Sequence, residues 1–355
     1  MSTHSSISPF DKRGIEHLRR EFKLDPECVR RFRNSLLKRF ATDEAALEDF
    51  PAADHLHLHE LELFRRRDSK IDGATKLLLR TKLGMLIEAV ILRIETGRTT
   101  LCVSSQVGCA AACEFCATGK MGVARNLSPE EILDQVLRAG QLLAEEGRSL
   151  RNIVFMGMGE PFHNEENLYR AIEILISPVF FNIAPTKVLV STVGITDAML
   201  RCVECFPRVN LALSLHSVRQ EVRERLIPLA TKFPLDELHR TVAELNRRQA
   251  STVMIEYLML AGVNDSQDDA KELATWLQGL RVHVNLIPYN PIEDASQLVG
   301  SDRETRLAFA KTIRDAGFKT TLRYSLGNDI AAACGQLVRR ENRGIAKSVS
   351  ISGVN

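Results

Sequence analysis

A chain of 355 residues, 45% hydrophobic and 26% charged, holds enough apolar material for one large α/β domain with an appendage or for two medium domains, and its composition excludes long disordered or collagen-like segments. A net charge of +2 neither demands nor forbids a nucleic-acid partner. No run approaches the roughly 18 apolar residues of a membrane span, and the start, "MSTHSSISPF", lacks the basic and apolar regions of a signal peptide, so a cytoplasmic protein is expected.

In chain order, residues 1–40 carry ten Lys/Arg (Lys12, Arg13, Arg19, Arg20, Lys23, Arg30, Arg31, Arg33, Lys38, Arg39) against five acids. This excess suits either solvated amphipathic helices or a phosphate-facing surface. Helices are predicted over 26–40 and 43–50, and "RRRDSKIDGATKLLLRTK" (65–82) reads as irregular, so residues 1–85 are predicted to form a small N-terminal helical domain. Beyond residue 98, apolar runs at 99–105, 152–157, 187–192, 209–216, 253–260 and 282–289 read as buried strands alternating with helices. The clearest helix begins at Ser128, where Ser128-Pro129-Glu130-Glu131 is a capping box with proline in the first turn.

Strand then helix, six times, predicts an α/β fold with a parallel sheet closed in the manner of a TIM barrel. Six strands instead of eight predict a partial, open (βα)6 barrel over 86–325 with a wide mouth. The segment 326–355 holds "GNDIAAACGQL" and a basic tail. Active residues belong at the C-terminal strand ends, where "GMGEP" (157–161), "STVG" (191–194), "SLHS" (214–217) and "PYNP" (288–291) fall.

In a reducing compartment the eight cysteines (28, 102, 109, 113, 116, 202, 205, 334) are not a disulfide framework. Cys109, Cys113 and Cys116 follow the first barrel strand as C-x3-C-x2-C. Three thiolates can ligate a [4Fe–4S] cluster at three irons and leave the fourth for an outside ligand, or form a zinc loop completed by a distant His. Gly157 and Gly159 allow close backbone approach to a ligand, Glu160 offers a carboxylate to an ammonium, and Ser191, Ser214, His216 and Asn290 suit hydroxyls and base edges. Cys102 and Cys334 read by themselves as small buried hydrophobes, and Glu88 in "LIEAVIL" as a surface residue on a strand. Cys202-x2-Cys205 has no second half, and Cys28 has no partner in sequence.

The cysteine loop, with Phe115 before its last thiol, is similar to the signature of radical S-adenosylmethionine (SAM) enzymes. Together with "CVSSQVGC", "FMGMGEP", "SLH", "GVND", "NLIPYNP" and "DIAAACGQL", in that order over roughly residues 85–340, it resembles the RlmN/Cfr family of radical SAM RNA methyltransferases. The resemblance implies a [4Fe–4S] cluster on Cys109, Cys113 and Cys116, with SAM on the fourth iron. It also implies SAM contacts at Gly159, Glu160, Ser191, Ser214, Leu215, His216 and Asn290.

It implies further that Cys334 accepts a methyl group from one SAM and that a 5′-deoxyadenosyl radical from a second removes hydrogen from it. The carbon radical then adds to an electron-poor adenine carbon, which no ordinary displacement on SAM would methylate. Glu88 takes the ring proton, and Cys102 releases the product by forming a disulfide with Cys334. The expected substrate is 23S rRNA, at C2 or C8 of an adenosine, with transfer RNA as an additional one. An electron donor such as flavodoxin or ferredoxin and a monomeric state are expected. "STVGI" and "NPIEDASQ" depart from typical RlmN sequences and lean toward the Cfr-like side. Two rivals carry other chemistry: a protein-modifying radical SAM enzyme and a non-enzymatic zinc RNA-binding protein.

Overall fold

The computed structural model describes residues 6–336. Leu337 of the C-terminal motif and the basic tail lie outside the described residues.

Helix α1 (Lys12–Glu21) starts at Asp11, whose carboxylate accepts from the Arg13 and Gly14 N–H groups. Helix α2 (Pro26–Arg33) has its proline in the first turn and runs on through a π-helical turn at Asn34–Lys38, and α3 (Asp43–Leu47) is capped by Thr42. Ile15, Leu18, Val29, Phe32, Leu36 and Leu37 bury the shared face of these short helices.

The helical character foreseen for residues 1–85 holds only for the first part. Strands β1 (Glu62–Asp68) and β2 (Ala74–Arg80) form an antiparallel hairpin, extended by β3 (Leu86–Arg93) and then β4 (Thr99–Cys102), both also antiparallel. The stretch that reads as irregular is therefore sheet. Its signal was hidden because β1 is exposed at almost every position and β2 is buried on both faces, so neither alternates.

After β4, β5 (Gln106–Cys109) and β6 (Gly122–Asn126) make a separate two-stranded ribbon. Helix α4 (Pro129–Glu145) follows, with the predicted capping box formed between Ser128 and Glu131. Strand β7 (Asn152–Phe155), α5 (Glu165–Ile176), β8 (Val188–Thr192), α6 (Thr196–Cys205), β9 (Asn210–Ser214), α7 (Gln220–Leu226), α8 (Leu235–Arg248), β10 (Val253–Met259), α9 (Gln267–Trp276), β11 (Val282–Pro288), α10 (Arg303–Asp315) and β12 (Lys319–Leu322) complete the alternation. One ten-stranded sheet runs β1-β2-β3-β4-β7-β8-β9-β10-β11-β12, parallel from β4 onward and open at both edges. The six foreseen strands are all present. The four-residue β12, "KTTL", was not foreseen, because a half-exposed edge strand carries no apolar run. Among the described residues no helix is long and apolar enough to cross a membrane.

The N-terminal helices dock on α4. A Cβ on Gly140 would come within 2.1 Å of the Phe40 ring, so only glycine lets that ring lie against the helix. His59 bridges the parts: its Nδ1 sits 2.6 Å from Asp134 on α4 and its Nε2 2.9 Å from Asp43 on α3. Burial pulls the His59 pKa down, but the two carboxylates outweigh it and raise it from 6.5 to about 9.

Two outcomes follow from this docking. Gly140→Ala lowers the urea unfolding free energy by about 1–3 kcal/mol through overpacking against Phe40. Because the folded pKa of His59 lies above its unfolded value, its contribution is complete below pH 6.5 and is lost as pH rises toward 9. Urea titrations at the two ends of that window differ by on the order of 2 kcal/mol more in the native protein than in His59→Gln.

Candidate active site

The cysteine loop is tied at its base by the β5–β6 ribbon, in which Cys109 pairs with Gly122. Within it, Ala112 adopts a left-handed φ of 54° and Cys116 N–H donates to the Cys113 carbonyl at 3.2 Å. A Cβ on Gly119 would press to 2.9 Å from the Cys113 amide nitrogen, so the loop closes on itself only with glycine there. All three thiols line one cavity at the C-terminal ends of the parallel strands. Burial raises all three, Cys109 to about 12, so a thiolate persists there only beside compensating positive charge.

Gly159, Glu160, Ser191, Ser214 and His216 line the same cavity. Glu160 is pinned by two backbone donors, Phe162 N–H at 3.1 Å and Val193 N–H at 2.9 Å, and burial lifts it to about 7. Ser191 Oγ donates to Glu256 Oε2 at 3.0 Å and lies 3.5 Å from Ser214 Oγ. His216 holds a left-handed φ of 60°, its Nδ1 accepts from Leu258 N–H at 3.0 Å, and its ring meets Phe115 edge-on at 4.8 Å. That acceptor role leaves the proton on Nε2, and burial drops the pKa to about 3, so the imidazole is neutral. The glycines serve packing: a Cβ would lie 2.6 Å from the Val103 carbonyl at Gly157 and 2.7 Å from Gln106 at Gly159, where φ is +106°.

Cys334 lines the cavity too. Its segment is fastened to the cysteine loop by Ala117 N–H donating to the Gly335 carbonyl at 2.7 Å, and to the end of β11 by Asn290 Nδ2 donating to the Cys334 carbonyl at 3.1 Å. Asn290 thus holds protein backbone, and Leu215 is a fully buried core residue whose N–H donates to the Glu256 carbonyl. Cys102 is not part of the lining. It ends β4 within electrostatic range of Cys334, and burial first, then Cys334, raises it to about 12. Glu88 is no surface residue: it is fully buried on β3, its Oε2 3.6 Å from Lys76 Nζ, and Ser104 Oγ donates to its carbonyl at 2.7 Å. Exposed Cys205 and buried Cys202 and Cys28 lie outside this cavity.

Three charged residues that sequence reasoning missed complete the site. Arg223, fully buried, donates to the carbonyls of Ser214, Leu215 and Val193 at 2.8, 2.5 and 2.5 Å, and burial lowers it to about 10. Glu256 sits in "VMIEYLML", where a lone carboxylate inside an otherwise apolar run is the signal that could have found it. Its Oε1 has no hydrogen-bond partner among the described residues, Arg323 Nη1 lying 3.8 Å away. Arg323 is raised chiefly by Cys334.

These residues fit a thiolate-bound cluster and an amino-acid-bearing nucleoside. Among the described residues no three His, Cys, Asp or Glu gather closely enough for a single metal ion. A cubane cluster binds its thiolates at separate irons, and the three loop cysteines line one cavity. The orphan Glu256 oxygen and the serine hydroxyls supply polar partners on the facing wall.

The radical SAM superfamily model matches residues 103–277. A solved radical SAM methyltransferase from Sphaerobacter thermophilus superposes with a TM-score of 0.86 at 37% identity, covering 95% of this chain and 99% of that one. A probable RNA methyltransferase of Rhodopirellula baltica is 59% identical over 96% of this chain and 89% of its own length. The probable dual-specificity RNA methyltransferase RlmN 2 of Protochlamydia amoebophila is 41% identical over 82% of this chain and 81% of its own length. The chain belongs to the RlmN/Cfr family of radical SAM RNA methyltransferases. It is a SAM-dependent enzyme acting on RNA, and its cofactors are a [4Fe–4S] cluster and SAM. Membership removes the zinc-protein and protein-activase alternatives.

Within this family site Arg223 is structural, and its loss is measurable. Arg223→Met strands three carbonyls and lowers stability by about 3 kcal/mol in urea unfolding, and Arg223→Lys recovers little, because one ammonium does not span all three.

Proposed function

We propose that the enzyme methylates a ring carbon of adenosine, C2 or C8, in 23S rRNA through a methyl group carried on Cys334. The observation that carries this reading is the position of Cys334, on the wall of the cavity that holds the three loop thiols and within electrostatic range of Cys102. A purely structural cysteine has no need of that company.

Cys109, Cys113 and Cys116 hold the cluster. When bound, the cluster supplies one electron to SAM and so generates a radical able to take hydrogen from a methyl group. Glu160, Ser191, Ser214 and neutral His216 orient SAM, and Gly159 shapes the loop that carries Glu160. Leu215 and Asn290 act from behind, Leu215 as core support and Asn290 by holding the Cys334 backbone. Cys334 takes the methyl group and presents it to the base. The base radical left by addition loses one electron, for which the oxidised cluster, when bound, would be the acceptor, and Glu88 receives the ring proton. It lies two residues from Val90, the register partner of Cys102, and so on the same face of β3. Cys102 frees the product by bonding to Cys334 sulfur as the carbon–sulfur bond breaks, its electron pair leaving with the methylene carbon, which takes a proton and becomes the methyl group, and a disulfide remains for an external thiol to reduce.

RNA approaches from the open mouth. Exposed Lys12, Arg13, Lys23, Arg31, Lys38 and Arg39 face water and suit phosphates, whereas Arg19 and Arg20 share Glu16 and Arg30 pairs with Glu27. The target base leaves its stack at a cost on the order of a few kcal/mol. A small redox protein of the flavodoxin or ferredoxin type delivers the electron, and the chain acts as a monomer in the cytoplasm.

Nucleoside mass spectrometry of 23S rRNA from cells with and without the gene tests this. Loss of 2-methyladenosine or of 8-methyladenosine on deletion fixes the carbon. A loss confined to transfer RNA, or none, overturns the ribosomal assignment. In purified enzyme Cys334→Ala abolishes RNA methylation, while Cys102→Ala keeps the methyl on Cys334 and accumulates a covalent protein–RNA band on denaturing gels.

A further inference from the structure

The hairpin β1–β2 meets the Cys334 segment at four hydrogen bonds. Ser69 Oγ and Lys70 N–H donate to the two carboxylate oxygens of Asp329 at 2.8 and 2.9 Å, and Gly327 N–H donates to Asp72 Oδ2 at 2.7 Å. From β2 itself, buried Lys76 Nζ donates to the Ala331 carbonyl at 2.8 Å. Gly327 must be glycine, since its φ is +78° and a Cβ would press to 2.8 Å from Ala332 and 3.1 Å from Ala74 of β2. Ala331 itself is left-handed, at φ 50°, so the backbone is bent to bring this carbonyl to the lysine. The same ammonium lies 3.6 Å from Glu88 Oε2.

We propose that Lys76 is a positioning residue which sets Glu88 and the Cys334 segment relative to each other, with the hairpin turn as its clasp. This rests on the roles proposed for Cys334 and Glu88. A lysine buried to 3% exposure between a carboxylate and a carbonyl three residues ahead of the reactive cysteine fixes two reaction partners with one charge. An ammonium on a β-strand is a rigid reference, because β2 is hydrogen-bonded on both sides, to β1 and to β3. Around Cys334 itself, the hydrogen bonds among the described residues run to loops and strand ends, through Gly335, Asn290 and Gln336. The geometry therefore gives the hairpin, outside the parallel sheet, a direct line to the chemistry.

The test uses full-length holoenzyme and four variants. Lys76→Met lowers kcat for RNA methylation by about a hundredfold, the scale of an ångström-sized misplacement, and leaves KM for RNA within about threefold. Lys76→Arg, which keeps charge and donors, recovers about tenfold of that loss. Since Lys76→Met removes a buried charge and unfolding would imitate the loss, Asp329→Ala supplies the second arm. Asp329 is exposed, and its removal opens only the clasp. It raises the iodoacetamide alkylation rate of Cys334, read by peptide mass spectrometry, by about tenfold at unchanged melting temperature and cluster absorbance. If Asp329→Ala leaves both Cys334 alkylation and RNA methylation at native levels, or if Lys76→Met lowers melting temperature while kcat per folded molecule holds, the inference is overturned. Cys334→Ala separates the two levels: retained methylation in that variant sinks the proposed function itself, whereas inactivity of Cys334→Ala beside full activity of Lys76→Met sinks only the role of Lys76.

Discussion

Three thiols gathered in a pocket that disfavours their charge are the constraint around which this molecule is arranged. Cys109 and Cys113 are buried and Cys116 is half-buried, and burial above all drives the three toward the neutral form. Nearby positive charge opposes that preference, and the loop is built as a socket rather than a flexible tether. The β5–β6 ribbon closes its base, Gly119 lets it fold on itself, and Arg223 cross-links the strand ends beneath it. The same dryness that disfavours an isolated thiolate strengthens every hydrogen bond and charge contact within the cavity.

Much of the architecture was legible because parallel strands covered on both faces leave continuous Val, Ile and Leu runs, as at 187–192 and 282–289, and because the box at Ser128 announces a helix start. The site motifs were legible for a related reason. Polar residues directly after an apolar run, such as Glu160, Ser191 and His216, have no place in the core of a strand and mark its C-terminal end. What escaped notice shares a physical cause. Lys76 and Glu256 are charges inside buried strands, and each reads as a break in a pattern until its partner, distant in sequence, is known. Arg223 sits in "VRERL", indistinguishable from a solvated helix face, although it reaches three carbonyls below. Pairings of that kind are properties of the fold and leave no local periodicity.

The N-terminal helices illustrate how a module is fixed by a few specific contacts on an otherwise ordinary surface. Phe40 needs the missing side chain of Gly140, and His59 needs carboxylates from both sides of the joint. Apolar burial supplies the adhesion, and these contacts supply the register. A module joined this way holds its angle as well as its attachment.

An open sheet also has a social consequence. Ten strands laid side by side end, among the described residues, in two unpaired rims, β12, only four residues long, and β1, fully seven. A free seven-residue rim invites a second copy of the chain to continue the sheet without limit. Along β1 stand Arg65, Arg66 and Arg67, and two such rims brought together would press their guanidinium groups into one another. The arginine run that concealed this strand from pattern reading thus also sets like charge along its rim, which disfavours edge-to-edge pairing.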